Sequence, residues 1–276
     1  MLSSRDAKQK IRTVRSIQQI CRAMKTVASI RLRRAEQRLA AARPYYEQVA
    51  SLAARVAAIT QEHPFLEVRP VHRIGMVVVT SDRGLAGGYN AAVIRHAQAT
   101  ARPDLAAVIP VGRRGQGQLA NRGYEVLEGL VPLGGEPDIM GVWRLAGRLG
   151  QLFRQGQIDQ VMLVYTHFRG GTRSQVVSEV VLPVVASPDG GGDTLFEPGP
   201  AELLAGLMDR YLRSQILGAV LESSASEHGA RVAAMTNASD NAEDLIRSLT
   251  LAYNKARQAS ITREIAEIVG SSDATA

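Results

Sequence analysis

A single cysteine, Cys21, stands among 276 residues, which excludes an intrachain disulfide framework and every multi-cysteine metal site. Such sparing use of cysteine points to a reducing compartment. Aromatic residues are only 4% of the chain, too few for the usual core of a β-sandwich. No window approaches 18 uncharged apolar residues, so no bilayer-spanning helix is expected. The opening MLSSRDAKQK has no apolar h-region, which argues against a secretory signal. Asp6 and the immediate entry into a regular pattern argue against an organellar presequence. Proline is missing before Pro44 and after Pro200, and glycine before Gly75. The two ends can therefore be helical over lengths that the middle cannot.

Against these absences, 45% of residues are hydrophobic, enough to bury a core. The formal charge of +7 is unevenly placed. Residues 1–60 carry 13 Lys/Arg against 3 Asp/Glu, a net +10, whereas residues 201–276 carry 7 against 10, a net −3. A basic stripe of this kind suits nucleic acid, anionic lipid or an acidic protein surface, and charge alone does not choose among them.

The N-terminal pattern is heptad-like. A possible capping box at Ser3 and Asp6 leads into eight small or apolar residues spaced by seven: Ala7, Val14, Cys21, Ala28, Ala35, Ala42, Val49 and Val56. The companion slot, three or four residues later, reads Ile11, Ile17, Met24, Leu32, Leu39, Tyr45, Leu52 and Ile59. Pro44 should kink this helix rather than end it. A helix over 3–61 would run roughly 90 Å, too long for a compact domain to contain. At the other end, residues 201–269 contain no proline. There a seam reads Leu221, Ala225, Val232, Met235, Ala242, Leu249 and Ala256, flanked by Ala238, Leu245, Ala252 and Ala259. That helix would reach roughly 100 Å. Two matched seams of opposite charge predict one intramolecular antiparallel coiled coil.

The middle alternates strands and helices. Strands are expected at 73–81, 105–112, 124–131, 159–168 and 174–185, with helices from about Ala91 and over 138–155. The expected fold class is therefore α/β: a Rossmann-like domain over 72–186, between coiled-coil helices at 1–62 and 200–270.

Two glycine motifs invite a ligand. SDRGLAGGYN (81–90) follows the first strand, but no Lys or Ser/Thr follows Gly88 as a P-loop requires. GQGQLA (115–120) matches a dinucleotide fingerprint, but Arg113 and Arg114 separate it from its strand, and Glu136 lies in a Gly-Gly-Glu-Pro loop rather than at a strand end. The histidines at 63, 72, 96, 167 and 228 show no metal-ligand spacing, and no catalytic set emerges. His228, on the C-terminal seam, reads as a packed or partner-facing residue. A dinucleotide-dependent enzyme or a basic nucleic-acid-binding scaffold would be the competing functional classes.

Three stretches resemble the gamma subunits of F-type ATP synthases: KIRTVRSIQQICRAMKTVASIRLRRAEQRL near the N-terminus, SDRGLAGGYN, and residues 225–269, from ASEHGARV to REIAEIV. The terminal matches cover 75 of the 276 residues, a little over a quarter of the chain. The resemblance implies a non-catalytic rotor shaft without cofactor. Its coiled coil would enter the alpha–beta hexamer, and its α/β domain would meet the epsilon subunit and the c ring. It places Met24 and Lys25 near an acidic lever loop of beta, and Arg257, Gln258 and Thr262 at a catch loop of beta. LFEP (195–198) corresponds to a foot on the c ring and implicates Phe196 and Glu197. Departures are Cys21, Arg31-Leu32, Ala86 and a shortened stretch at 186–194. Without a paired-cysteine insertion the redox-switched chloroplast type is excluded. The expected location is the cytoplasmic face of a bacterial plasma membrane, held there by partners.

Overall fold

A computed structural model describes residues 4–59, 63–127, 138–186 and 199–273. The chain divides into two units: Ala28–Arg231, and a unit made from both chain ends, Met1–Val27 with Val232–Ala276.

The unit Ala28–Arg231 is built on a five-stranded sheet. Its strands are β1 (Ile74–Val79), β2 (Ala106–Val111), β3 (Glu125–Val126), β4 (Gln160–Phe168) and β5 (Ser174–Leu182), in the order β3-β2-β1-β4-β5. Helices α2 (Tyr89–Thr100), α3 (Arg113–Ala120) and α4 (Ile139–Arg154) connect the strands. The first four strands are parallel and β5 turns back antiparallel to β4. IGMVVV is buried at every position, as a central parallel strand covered on both faces must be. Pro110 is tolerated in β2 for a local reason. The Val108 carbonyl accepts from Leu127 N–H at 2.9 Å, so the missing N–H of Pro110 faces the same side, beyond the two residues of β3. The third strand, expected over 124–131, is confined to Glu125–Val126 among the described residues.

Helix α4 starts where the Asp138 carboxylate accepts the Gly141 N–H at 2.9 Å. Its stripe of Val142, Leu145, Leu149, Leu152 and Phe153 enters the main core. That core also receives Leu204–Val220 of the C-terminal helix and Val49, Ala53 and Val56 of the N-terminal one.

The terminal helices are α1 (Ser4–Ile59, 56 residues) and α5 (Pro200–Asp273, 74 residues). Helix α1 continues through Pro44. The proposed cap residue Ser3 lies outside the described residues. The seven-residue slot is buried or half-buried throughout, but the companion slot needs correction. Ile17, Tyr45 and Ile59 are exposed, at 49%, 57% and 45%, whereas Gln18, Tyr46 and Ala53 turn inward. Except at Lys25, which is exposed while Met24 is half-buried, the inward positions keep a four-three alternation from Ala7 and Ile11 onward, because a two-helix seam follows the 3.5-residue repeat. Taking the apolar residue three places on slips the reading by one at Ile17 and Tyr45. On α5, Leu245, Ala252 and Ala259 likewise face outward, and Ser239 is buried in the seam.

Each unit shows antiparallel pairing. In one, Arg43 meets Glu222 and Gln215 meets the Tyr46 carbonyl. In the other, Gln18 and Arg22 meet Ser239, while Lys10, Thr13 and Val14 share a groove with Leu245 and Leu249.

Candidate functional site

Met24 is half-buried and Lys25 exposed on α1; Arg257, Gln258 and Thr262 are exposed near the end of α5. All five belong to the unit made from the chain ends. Arg22 pairs at Ser239 in antiparallel register, so the level of Met24 and that of Arg257 are separated by about 20 residues of helix, roughly 30 Å. They form two surfaces rather than one constellation. Thr262 spends its hydroxyl on the Gln258 carbonyl at 2.9 Å. Residues 257–262 are all exposed, where α5 runs past the start of α1. Phe196 and Glu197 lie outside the described residues.

Both glycine motifs are structural. In SDRGLAGGYN, Ser81 N–H donates to Asn90 Oδ1 at 2.9 Å, and Leu85 and Gly87 take positive φ angles of 63° and 57°. The Asp82 carboxylate accepts the Arg113 N–H at 3.0 Å, so the start of α3, where an anion would sit, is occupied by the chain's own acid. GQGQLA lies wholly inside α3. A Cβ on Gly115 would come within 2.7 Å of Thr80 Oγ1, while Gly117 faces open space. Between α1, α5, β4 and β5 there is a recess of about 230 Å³ whose wall includes Glu47, Glu179 and Glu222, carboxylates that repel a nucleotide phosphate.

The polar chemistry concentrates instead on α5, where residues 221–229 are buried without a break. Glu222 accepts from Arg43 Nη2 at 3.0 Å, Tyr46 hydroxyl at 2.8 Å and Phe168 N–H at 3.0 Å, with His167 Nδ1 also against it. Burial and the adjoining Glu222 push the Tyr46 phenol up to about 12, although Arg43 opposes them, so it stays a donor. About two and a half turns along, Arg231 donates to Glu227 Oε1 at 2.6 Å, to His228 Nδ1 at 3.2 Å and to the Gly84 carbonyl at 3.2 Å. His228 is thus packed inside the chain. None of Glu222, Ser223, Ser226 or Arg231 stands out in the sequence as a site. The available signal was the polar run ESSASEH interrupting an apolar seam.

Burial, followed by the charges of Arg231 and Arg31, lowers His228 to about 4. The unfolded chain takes up this proton near pH 6.5 and the folded chain only near 4, so stability is lost as pH falls through that window. Glu227, raised by burial, works in the opposite direction. Replacing His228 with glutamine should remove an acid-dependent loss on the order of 3 kcal/mol between pH 7 and pH 4. Urea unfolding of both proteins across that range measures it.

A family model described as ATP synthase matches residues 3–275. The ATP synthase gamma chain of Moorella thermoacetica is 40% identical over 280 residues, covering 99% of each chain. That of Heliobacterium modesticaldum is 39% identical over 285 residues, covering 98% of each. Among solved structures, the rotor of Euglena gracilis mitochondrial ATP synthase superposes with a TM-score of 0.69 at 18% identity, covering 94% of this chain and 98% of that one. The central stalk/c-ring structure of Tetrahymena thermophila gives 0.60 at 24% identity, covering 80% of this chain and 99% of that one. With the family match spanning nearly every residue and the fold shared, this chain belongs to the ATP synthase gamma chain family.

Proposed function

We propose that this chain, a non-catalytic gamma subunit of an F-type ATP synthase, works as the torsion shaft between a membrane ring and the catalytic subunits, with coupling carried by the two surfaces on its terminal helices. The observation behind this reading is the antiparallel pairing of the chain's two ends, with residues 257–262 of α5 exposed. An exposed helix face bearing Arg257, Gln258 and Thr262 suits polar contact with a beta subunit, and exposed Lys25 beside Met24 suits an acidic beta loop. The alpha and beta subunits surround the rod in this scheme, and the epsilon subunit and the c ring meet the rest of the chain. Phe196 and Glu197 are assigned to the c ring by motif. The working parts are helix 1–62, body 72–186 and helix 200–270.

No helix among the described residues is long and apolar enough to cross a membrane. Attachment through partners, at the cytoplasmic face of a bacterial plasma membrane, is part of the proposal. Rotation acts by population shift: each orientation of the shaft favours a different affinity state in each beta subunit.

The test replaces Arg257 and Gln258 with alanine in the assembled complex. Two polar contacts at about 1 kcal/mol each should lower ATP synthesis about tenfold or more. Unchanged synthesis removes both residues from the coupling contact.

A further inference from the structure

The core strand β1 pairs with β4 only as far as Val164, yet β4 runs on to Phe168. Beyond Val164 the backbone of β4 would lack a strand on that side. Side chains of α5 take the strand's place. Thr166 N–H donates to Ser223 Oγ at 3.2 Å, Ser226 Oγ donates to the Thr166 carbonyl at 3.1 Å, and Phe168 N–H donates to Glu222 Oε2 at 3.0 Å. The turn after β1 is fastened to the same helix segment: Tyr89 hydroxyl donates to the Ser223 carbonyl at 3.2 Å, and Arg231 donates to the Gly84 carbonyl. Gly229 lets the β4–β5 turn approach so closely that a Cβ there would lie 2.5 Å from the Gly171 oxygen.

Just upstream the contact changes character. Between Leu204 and Val220 the buried surface of α5 is dominated by apolar residues, Leu204, Leu207, Met208, Leu212, Ile216, Ala219 and Val220 among them. Apolar burial is strong but non-directional, so it resists separation better than it resists sliding or turning. Hydrogen bonds fix distance and angle, and in a buried site no water replaces them.

We infer that residues 222–231 of α5 are the rotational grip of this subunit, the place where torque passes between the α/β body and the long helix, while residues 204–220 supply adhesion. This rests on the rotor reading above. Ser223, Ser226 and Arg231 are positioning residues: they are buried and lock a helix in register against a sheet. SDRGLAGGYN then has a mechanical role, presenting the Gly84 carbonyl to Arg231 and the Tyr89 hydroxyl to Ser223.

The test uses the whole ATP synthase complex reconstituted in vesicles. ATP hydrolysis and ATP-driven ion pumping are measured for the unaltered chain, the triple variant Ser223→Ala/Ser226→Ala/Arg231→Met, and the control Leu212→Ala. The triple variant should lower the pumping-to-hydrolysis ratio at least about threefold, since a slipping joint lets catalysis run without moving the ring. Leu212→Ala should keep the ratio of the unaltered chain even though it lowers the melting temperature. An unchanged ratio in the triple variant overturns the grip, as does an equal fall in Leu212→Ala, which would make lost stability the cause. If the triple variant does not assemble, Ser226→Ala alone decides the matter, with a smaller fall in the ratio expected and no fall overturning the inference. Failure of the rotor reading looks different: the unaltered chain would not restore coupled pumping to a complex lacking its gamma subunit.

Discussion

Glu222→Ala should destabilise the chain by about 3–5 kcal/mol, the range for removing one partner from a buried ion pair. Glu222 is only 3% exposed, and its carboxylate serves donors from two elements: Arg43 and Tyr46 on α1, and His167 and the Phe168 N–H on β4. Truncation leaves a buried peptide N–H and a phenol without that acceptor, and leaves Arg43 only the more distant and exposed Glu47 as counter-charge. Arg43 is about a third exposed and can recover some water, which puts the expected value at the lower end of the range. Glu222→Gln keeps the shape but turns one oxygen into a donor facing other donors, so it should cost less than alanine and still more than 1 kcal/mol. Urea unfolding with unchanged m-values measures both. An alanine cost below 1 kcal/mol would mean that water replaces the carboxylate and that this contact does not hold the helices together.

Gly112→Ala should cost about 3 kcal/mol or more, from a different cause. Gly112 joins β2 to α3 with φ at 85°, a conformation that costs an L-residue about 1–3 kcal/mol. A Cβ would also lie 2.0 Å from the Thr80 carbonyl oxygen and 2.6 Å from its carbon. Those are backbone atoms, held by Thr80 N–H donating to the Val111 carbonyl at 2.7 Å, so no rotamer change relieves the clash. Thermal unfolding should show a drop of several degrees or more. Gly117→Ala serves as the control: it sits in α3 facing open space, and as a helix-interior change it should stabilise slightly. Equal behaviour of the two variants would refute the steric account.

Much of the fold was legible because its signals are local. The missing prolines and glycines at the ends, the heptad repeat, and apolar runs such as IGMVVV mark helices and buried strands through backbone sterics and periodicity, which need no partner to operate. Apart from the third strand, which is confined to Glu125–Val126 among the described residues, the strands and the helices α2, α4 and α5 appear within a few residues of where the pattern puts them. The seam was less secure. Ile17 is more apolar than Gln18, yet Gln18 is buried and donates to the Ser239 carbonyl at 3.4 Å, because the partner helix, not the side chain, decides which face turns inward.

The candidate site divides in the same way. The motif residues Met24, Lys25, Arg257, Gln258 and Thr262 could be named from the chain and located on exposed or half-exposed helix faces. The polar grip could not, since Glu222 lies 179 residues from Arg43 and 54 from Phe168. Nothing in the run ESSASEH says that a strand will end beside it.

From sequence periodicity come the long helices at the ends, the alternating middle and the exclusion of a P-loop, all consequences of interactions within a few residues. Tertiary packing alone decided which polar groups of α5 would be buried and what they would hold. A hydrogen bond between distant residues depends on where two backbones meet, and only the assembled sheet and helices set that distance.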